Sequence, residues 1–282
     1  MKKIFSRILT ILLVGAFLLG AGLLAYPYAA DLYNKWQSSQ VSEKYDASSS
    51  AMSSEQTENL LAQARAYNQE LLERPDRYHP DESFHQQYMD TLNIDGSGLM
   101  GTVTIPKIDV KLPVYHTTDE NVLQNAAGHI EGTSLPVGGE GTHAVISGHT
   151  GLPSAKLLTD LDQLALGDLF TLTVLNQKMT YEIDDISVVL PEEADKLAIS
   201  PDKDEVTLLT CTPYGINSHR LLIKGHRIEN PKEDYLKAVD ETGQFDWKIL
   251  ALAAAAIGIV VILVLLLKKP KKNENETDAK NE

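Results

Sequence analysis

Two uncharged apolar runs constrain this chain more than any other feature of it. Ile8 to Tyr26 and Ile249 to Leu267 each span 19 residues. A helix rises about 1.5 Å per residue, so each run reaches about 28 Å, close to a hydrocarbon core of about 30 Å. Lys2, Lys3 and Arg7 precede the first run, and Lys268, Lys269, Lys271 and Lys272 follow the second. Positive flanks stay in the cytoplasm. The pattern predicts residues 1–7 and 268–282 inside the cell, membrane spans at 8–26 and 249–267, and everything between them outside. Tyr26, Tyr28, Tyr33, Trp36 and Trp247 fall on the outer flanks, where amphipathic rings favour the interface. A cleaved signal peptide is the alternative for the first run, with "YAA" ahead of Asp31 as a weak cleavage site. A buried helix, apolar on every face, is the alternative for the second.

The portion between the tips is acidic. Residues 8–267 hold 17 Lys and Arg against 35 Asp and Glu. That balance argues against a nucleic-acid partner, whose phosphates need Lys and Arg, and fits an exposed, soluble surface. Cys211 is the single cysteine of 282 residues. Outside the cell it has no internal disulfide partner, so the fold rests on its core. Cys211 is then an inert buried hydrophobe, a site of intermolecular pairing, or a nucleophile.

The chain between the runs changes texture along its length. Residues 27–58 include the Ser-rich "QSSQVSEKYDASSSAMSSEQTE", which reads as an extracellular linker or stalk. In residues 59–99, Leu60, Ala64, Tyr67 and Leu71 form one helical stripe that Pro75 and Pro80 end, followed by a polar, irregular connection. From residue 100 to 230 short strands dominate: "GTVTIPKIDVKLPVYH", "THAVISGHT", "LFTLTVLNQKMTYEIDDISVVL" with a hairpin near Asn176-Gln177, "EVTLLTC" and "HRLLIKGHRIE". "NVLQNAAGHI" and "AKLLTDLDQL" are short helical or turn segments between them. The reading is an all-β barrel or sandwich with small helical insertions. Residues 231–248 make a juxtamembrane segment, and the charged tail reads as disordered.

A thiol acts as thiolate and needs a cation or base beside it. His149 follows "AVISG", where Gly148 permits a sharp turn at a strand end. Arg220 opens the last strand nine residues after Cys211. If "TPYGINS" joins two antiparallel strands, Cys211 and Arg220 meet at one rim of the barrel. With His149 they would supply a nucleophile, an acid/base and an oxyanion partner. Asp160, Asp162 and Asp168 look like turn and solvated positions, so no metal cluster and no cofactor is expected.

"TLLTC" resembles the Thr-Leu-x-Thr-Cys signature of the sortases, the cysteine transpeptidases of Gram-positive cell surfaces. "SGHTGLPSAKLLTDLD" resembles the segment with the sortase histidine, and "CTPYGINSHRLLIKGHR" the segment with the arginine. "TIPKIDVKLPVYH" and "GHIEGTSLPVGG" resemble the pilus-assembling class C branch, and the likeness covers roughly residues 55–230. It implies an eight-stranded β-barrel with short helices and an N-terminal helix. It implies Cys211 as nucleophile, His149 as general acid and Arg220 on the oxyanion side. It further implies cleavage of an LPXTG-type signal between Thr and Gly through a thioester, and transfer to a lysine of a pilin partner. A C-terminal span is a trait of that same branch. Thr207 and Leu209 would line the groove for Leu-Pro, and Thr210 would hydrogen-bond near the thiol. Pilus sortases often carry an Asp-Pro-aromatic lid. This chain has "RPDRYHPDESF" instead, where Asp76 with Tyr78, or Asp81 with Phe84, could stand in. The competing readings are a housekeeping sortase that attaches proteins to peptidoglycan, a hydrolytic cysteine protease, and a non-catalytic membrane-tethered β-domain.

Overall fold

The computed structural model describes residues 2–229, 231 and 233–242. Eight strands close into a barrel in the order β1-β2-β3-β4-β7-β8-β6-β5. They are β1 (Leu99–Ile105), β2 (Val110–His116), β3 (Ala127–His129), β4 (Thr142–Ser147), β5 (Leu169–Val174), β6 (Gln177–Val189), β7 (Asp204–Thr212) and β8 (His219–Arg227). The hairpin expected at Asn176 is the β5–β6 turn, where Leu175 and Asn176 both take positive φ. Two neighbouring pairs run parallel, β2 with β3 and β4 with β7. Closure leaves no unpaired edge.

Side chains alternate along each strand, so one parity fills the barrel. Ile146, Phe170, Tyr181, Val206, Leu208 and Ile223 belong to that interior. The opposite parity of β4, β7 and β8 faces outward. There Val145, Val189, Leu197 and Leu222 form a second, smaller cluster with Leu209 and Ile130 against it. An outer face with its own apolar cluster is a floor awaiting a cover.

The helical layers differ from the sequence reading. The first helix, α1, runs unbroken over Lys2–Ser50, so the expected 27–58 linker is helical for most of its length. Asn34, Ser38, Ser42, Tyr45 and Ser49 are all buried, at steps of three or four residues. That spacing puts them on one helix face, and small serines let the helix lie close to β1 and β2. The Tyr45 hydroxyl donates to Met100 O at 2.8 Å and accepts from Leu175 N at 3.2 Å. Composition favours a solvated stalk, whereas the three- and four-residue steps of Asn34, Ser38, Ser42, Tyr45 and Ser49 make a docking face.

A second helix, α2 (Ser54–Leu72), starts with a capping box made by Ser53 and Gln56. Leu61, Ala64, Tyr67 and Leu71 join the main core, with Leu60 packed beside it. Asn68 clamps the loop ahead of β4: its Nδ2 donates to Leu135 O at 3.1 Å and its Oδ1 accepts from Leu135 N at 2.7 Å. Then follow α3 (Glu82–Asp90), the short α4 (Glu120–Leu123) and α5 (Glu233–Glu241). Among the described residues no helix is long and apolar enough to cross a membrane. The expected span at 249–267 and the tail 268–282 lie outside those residues, as do many side chains of the 8–26 run.

Candidate active site

The parallel β4–β7 and antiparallel β7–β8 pairings assemble the site. Cys211 stands directly opposite Arg220, and Leu209 stands between Ser147 on one side and Leu222 on the other. His149 lies two residues beyond Ser147, so it leaves β4 beside the end of β7 that carries the thiol. All three side chains are partly exposed and line one cleft of about 360 Å³. Leu209, Leu222 and Val189 form its floor, and Leu123, Ile130, Leu190, Pro191 and Leu197 its walls. This is the outer face of the barrel rather than its rim, a consequence of the parity that places Val206 and Leu208 inside.

Local packing explains how His149 is presented. Gly148 N donates to Leu209 O at 3.1 Å, which continues the β4–β7 ladder by one residue. A Cβ on Gly148 would sit 2.8 Å from the Leu158 side chain, so only glycine allows this approach. Leu158 N donates to His149 O at 3.2 Å and closes the loop behind the imidazole. The Tyr214 ring of the β7–β8 turn lies 3.1 Å from where a Cβ on Gly151 would be. The two loops that flank the thiol therefore touch each other. Arg220 Nη1 donates to Asn217 O at 3.2 Å and His219 O at 3.1 Å, both on its own turn. Among the described residues it has no carboxylate partner.

The other expected site residues divide. Leu209 lines the cleft, but Thr207 does not. The Thr207 hydroxyl is bonded to His143 Nε2 at 2.7 Å, and His143 Nδ1 donates to Ala198 O at 2.9 Å. The 190–203 segment folds down over that pair and closes one end of the floor. Thr210 has inward parity. Its hydroxyl donates to Gly148 O at 2.8 Å, so it tethers the turn before His149 rather than addressing the thiol. Side-chain parity on β7, readable once the strand was placed, separates Thr210 from Leu209 and Cys211.

None of the four lid candidates lines the cleft. Asp76 pairs with His79 at 2.7 Å on the surface. Tyr78 accepts from Arg77 Nη2 at 3.0 Å and packs against Gly132. Asp81 caps α3, accepting from Phe84 N at 3.0 Å, and pairs with Arg74 at 2.9 Å. Phe84 is buried between the Tyr67 ring, 4.6 Å away, and the Arg74 guanidinium, 3.7 Å from its centroid. An N-cap and an aromatic stack consume the residues that sequence order offered as a plug. Of the three carboxylates weighed as a metal cluster, Asp160 pairs with Lys156, and Asp168 pairs with Lys107 at 2.6 Å.

Val189 of the floor and the walls beyond it do not stand out in the sequence. Val189 is the last residue of the long β6, Leu190 and Pro191 follow it, and Leu197 sits on the next turn. Their one sequence signal is an apolar residue at the outward parity where β6 runs out opposite Arg220.

The Sortase domain family matches residues 103–228, which hold seven of the eight strands complete and the last three residues of β1. Sortase A of Bacillus anthracis is 28% identical over 224 residues, covering 78% of this chain and 94% of that protein. The crystal structure of sortase C1 from Streptococcus agalactiae is 43% identical with a TM-score of 0.66, covering 68% of this chain and 100% of that one. A Streptococcus pneumoniae sortase C, whose structure bears on catalysis and pilin substrate specificity, is 40% identical with a TM-score of 0.60, covering 68% of this chain and 97% of that one. With a closed eight-stranded barrel and an outer-face cleft that joins a lone cysteine, a histidine and an arginine, the chain belongs to the sortase family and is a cysteine transpeptidase.

Proposed function

We propose that this sortase is of the pilus-assembling class C, acting on LPXTG-type signals of pilin subunits. The observation that carries the reading is the register of the site: Cys211 opposite Arg220 on β8, with His149 one turn off β4, over an apolar floor. The likeness to sortase C structures supports the class. The Cys211 thiolate attacks the Thr–Gly carbonyl, and splitting the transfer through a thioester replaces one hard step with two easier ones. His149 as imidazolium protonates the departing glycine amine, then as neutral base takes a proton from the incoming amine. Arg220 faces the oxyanion from the neighbouring strand. Leu209, Leu222 and Val189 take the Leu-Pro part of the signal. The acceptor is a lysine of the next pilin, so the product is an isopeptide-linked polymer. The apolar runs 8–26 and 249–267 hold the enzyme in the cell membrane, with the barrel outside and both termini in the cytoplasm.

Incubation of the full chain with a pilin bearing an LPXTG-type signal tests this reading. Heat-stable ladders are expected on a denaturing gel, and none from a pilin whose acceptor lysine is replaced by alanine. A peptidoglycan amine offered in competition should lose to the pilin lysine. Preferential joining to the peptidoglycan amine would assign the housekeeping role instead. A reporter fused after Glu282 is expected in the cytoplasm, and an external reporter would end the two-span topology.

A further inference from the structure

We propose that a second pocket, between α1 and β2, binds one neutral, hydroxyl-rich sugar ring. The pocket has a volume of about 270 Å³ and no Asp, Glu, Lys, Arg or His on its walls. Four carboxamides converge on it, Asn34 and Gln37 from α1 and Asn121 and Asn125 from α4 and its C-terminal turn. Tyr115 of β2 adds a half-buried ring.

The sharpest observation is Asn34. Its side chain is only 5% exposed, yet its Oδ1 has no hydrogen-bond partner. A buried carbonyl oxygen without a donor costs about 1–3 kcal/mol, so a native structure that keeps one needs a reason. The carboxamides of Gln37, Asn121 and Asn125 likewise make no side-chain hydrogen bond among the described residues. They stand exposed at the mouth, above Asn34 at the floor.

The chemistry of the guest follows from these groups. A carboxamide offers one acceptor and two donors side by side, which matches two adjacent hydroxyls. An anion or cation would lose its hydration with no opposite charge to replace it. The Tyr115 ring offers an apolar face to the carbon-bound hydrogens of a pyranose. The volume lies just below the ~300–1,000 Å³ of pockets for drug-sized ligands, which limits the guest to about one ring. An extended peptide would need a free strand edge, and β2 is already paired on both sides, with β1 and β3.

Saturation-transfer NMR on the full chain in lipid nanodiscs, free of sugar-headed detergent, tests the proposal. The probes are glucose and N-acetylglucosamine, against glucuronate and N-acetylalanine amide. Transfer to at least one neutral sugar, weaker for both controls, is the expected result. Asn34→Ala should weaken that binding at least about tenfold, equivalent to about 1.4 kcal/mol. Because Asn34 is buried, the rim variant Asn121→Ala/Asn125→Ala provides a second arm that leaves the helix interface intact, with the same loss expected. No transfer to either neutral sugar would overturn the proposal. So would equal binding of glucuronate or the peptide amide, or unchanged affinity in the rim variant. The pilin-ladder assay reads the Cys211 cleft, so failure here and failure there are separate results.

Discussion

At the scale of single residues, burial decides which histidines can titrate usefully. His129 is fully buried; its Nε2 donates to Ser134 O at 2.8 Å, and its Nδ1 faces the Tyr88 hydroxyl at 3.0 Å. The neutral ring satisfies both contacts, and desolvation pushes its pKa down to about 4. His143, bonded to Ala198 O and the Thr207 hydroxyl, is shifted the same way by burial, as is His116. An unfolded histidine titrates near 6.5. Between that value and about 4 the unfolded chain binds the extra proton, so stability is complete above about pH 6.5 and falls as pH drops toward 4. One such group contributes a slope of up to about 1.4 kcal/mol per pH unit. Urea midpoints measured at pH 7, 5.5 and 4.5 should fall in that order, and a flat profile would contradict the buried neutral imidazoles. His149 differs from these three in being partly exposed at the cleft.

At the scale of elements, α3 is part of the core rather than a cover for the thiol. Phe84 is 1% exposed and stacked on Tyr67, so Phe84→Ala should cost about 3–5 kcal/mol of stability. Peptide cleavage by the folded variant should not rise. A variant with wild-type stability and faster cleavage would instead place Phe84 over the cleft. The β7–β8 pairing could be read because a seven-residue link with Pro213, Gly215 and Asn217 separates two strand-like runs, and it brought Cys211 to Arg220 correctly. The α1 face could not be read from composition. Its serines look solvated until a partner surface is known, and the Ser42 and Tyr45 contacts with β1 and the β5–β6 turn join residues more than fifty positions apart. The partners of Thr207 and Thr210 are hidden in the sequence for a related reason: a strand Thr bonds whatever lies across from it, His143 in one case and Gly148 in the other.

At the scale of the whole molecule, the barrel brings three residues from distant positions to one outer-face cleft. Parallel β4–β7 pairing delivers His149, antiparallel β7–β8 pairing delivers Arg220, and the 190–203 segment closes the floor. The family likeness made the three residues legible before the topology was known, while the cleft walls on β6 and its following turn needed the closed sheet. The proposed mechanism requires Cys211 to carry the acyl group in a covalent intermediate. Intact-mass spectrometry of the full chain, incubated with an LPXTG-type peptide and no acceptor amine, tests it most directly. The predicted result is an added mass equal to the peptide through its threonine less one water, located on Cys211, removed by hydroxylamine and absent in Cys211→Ala. Peptide cleavage by Cys211→Ala, or the acyl mass on any other residue, would rule out Cys211 as the acyl carrier.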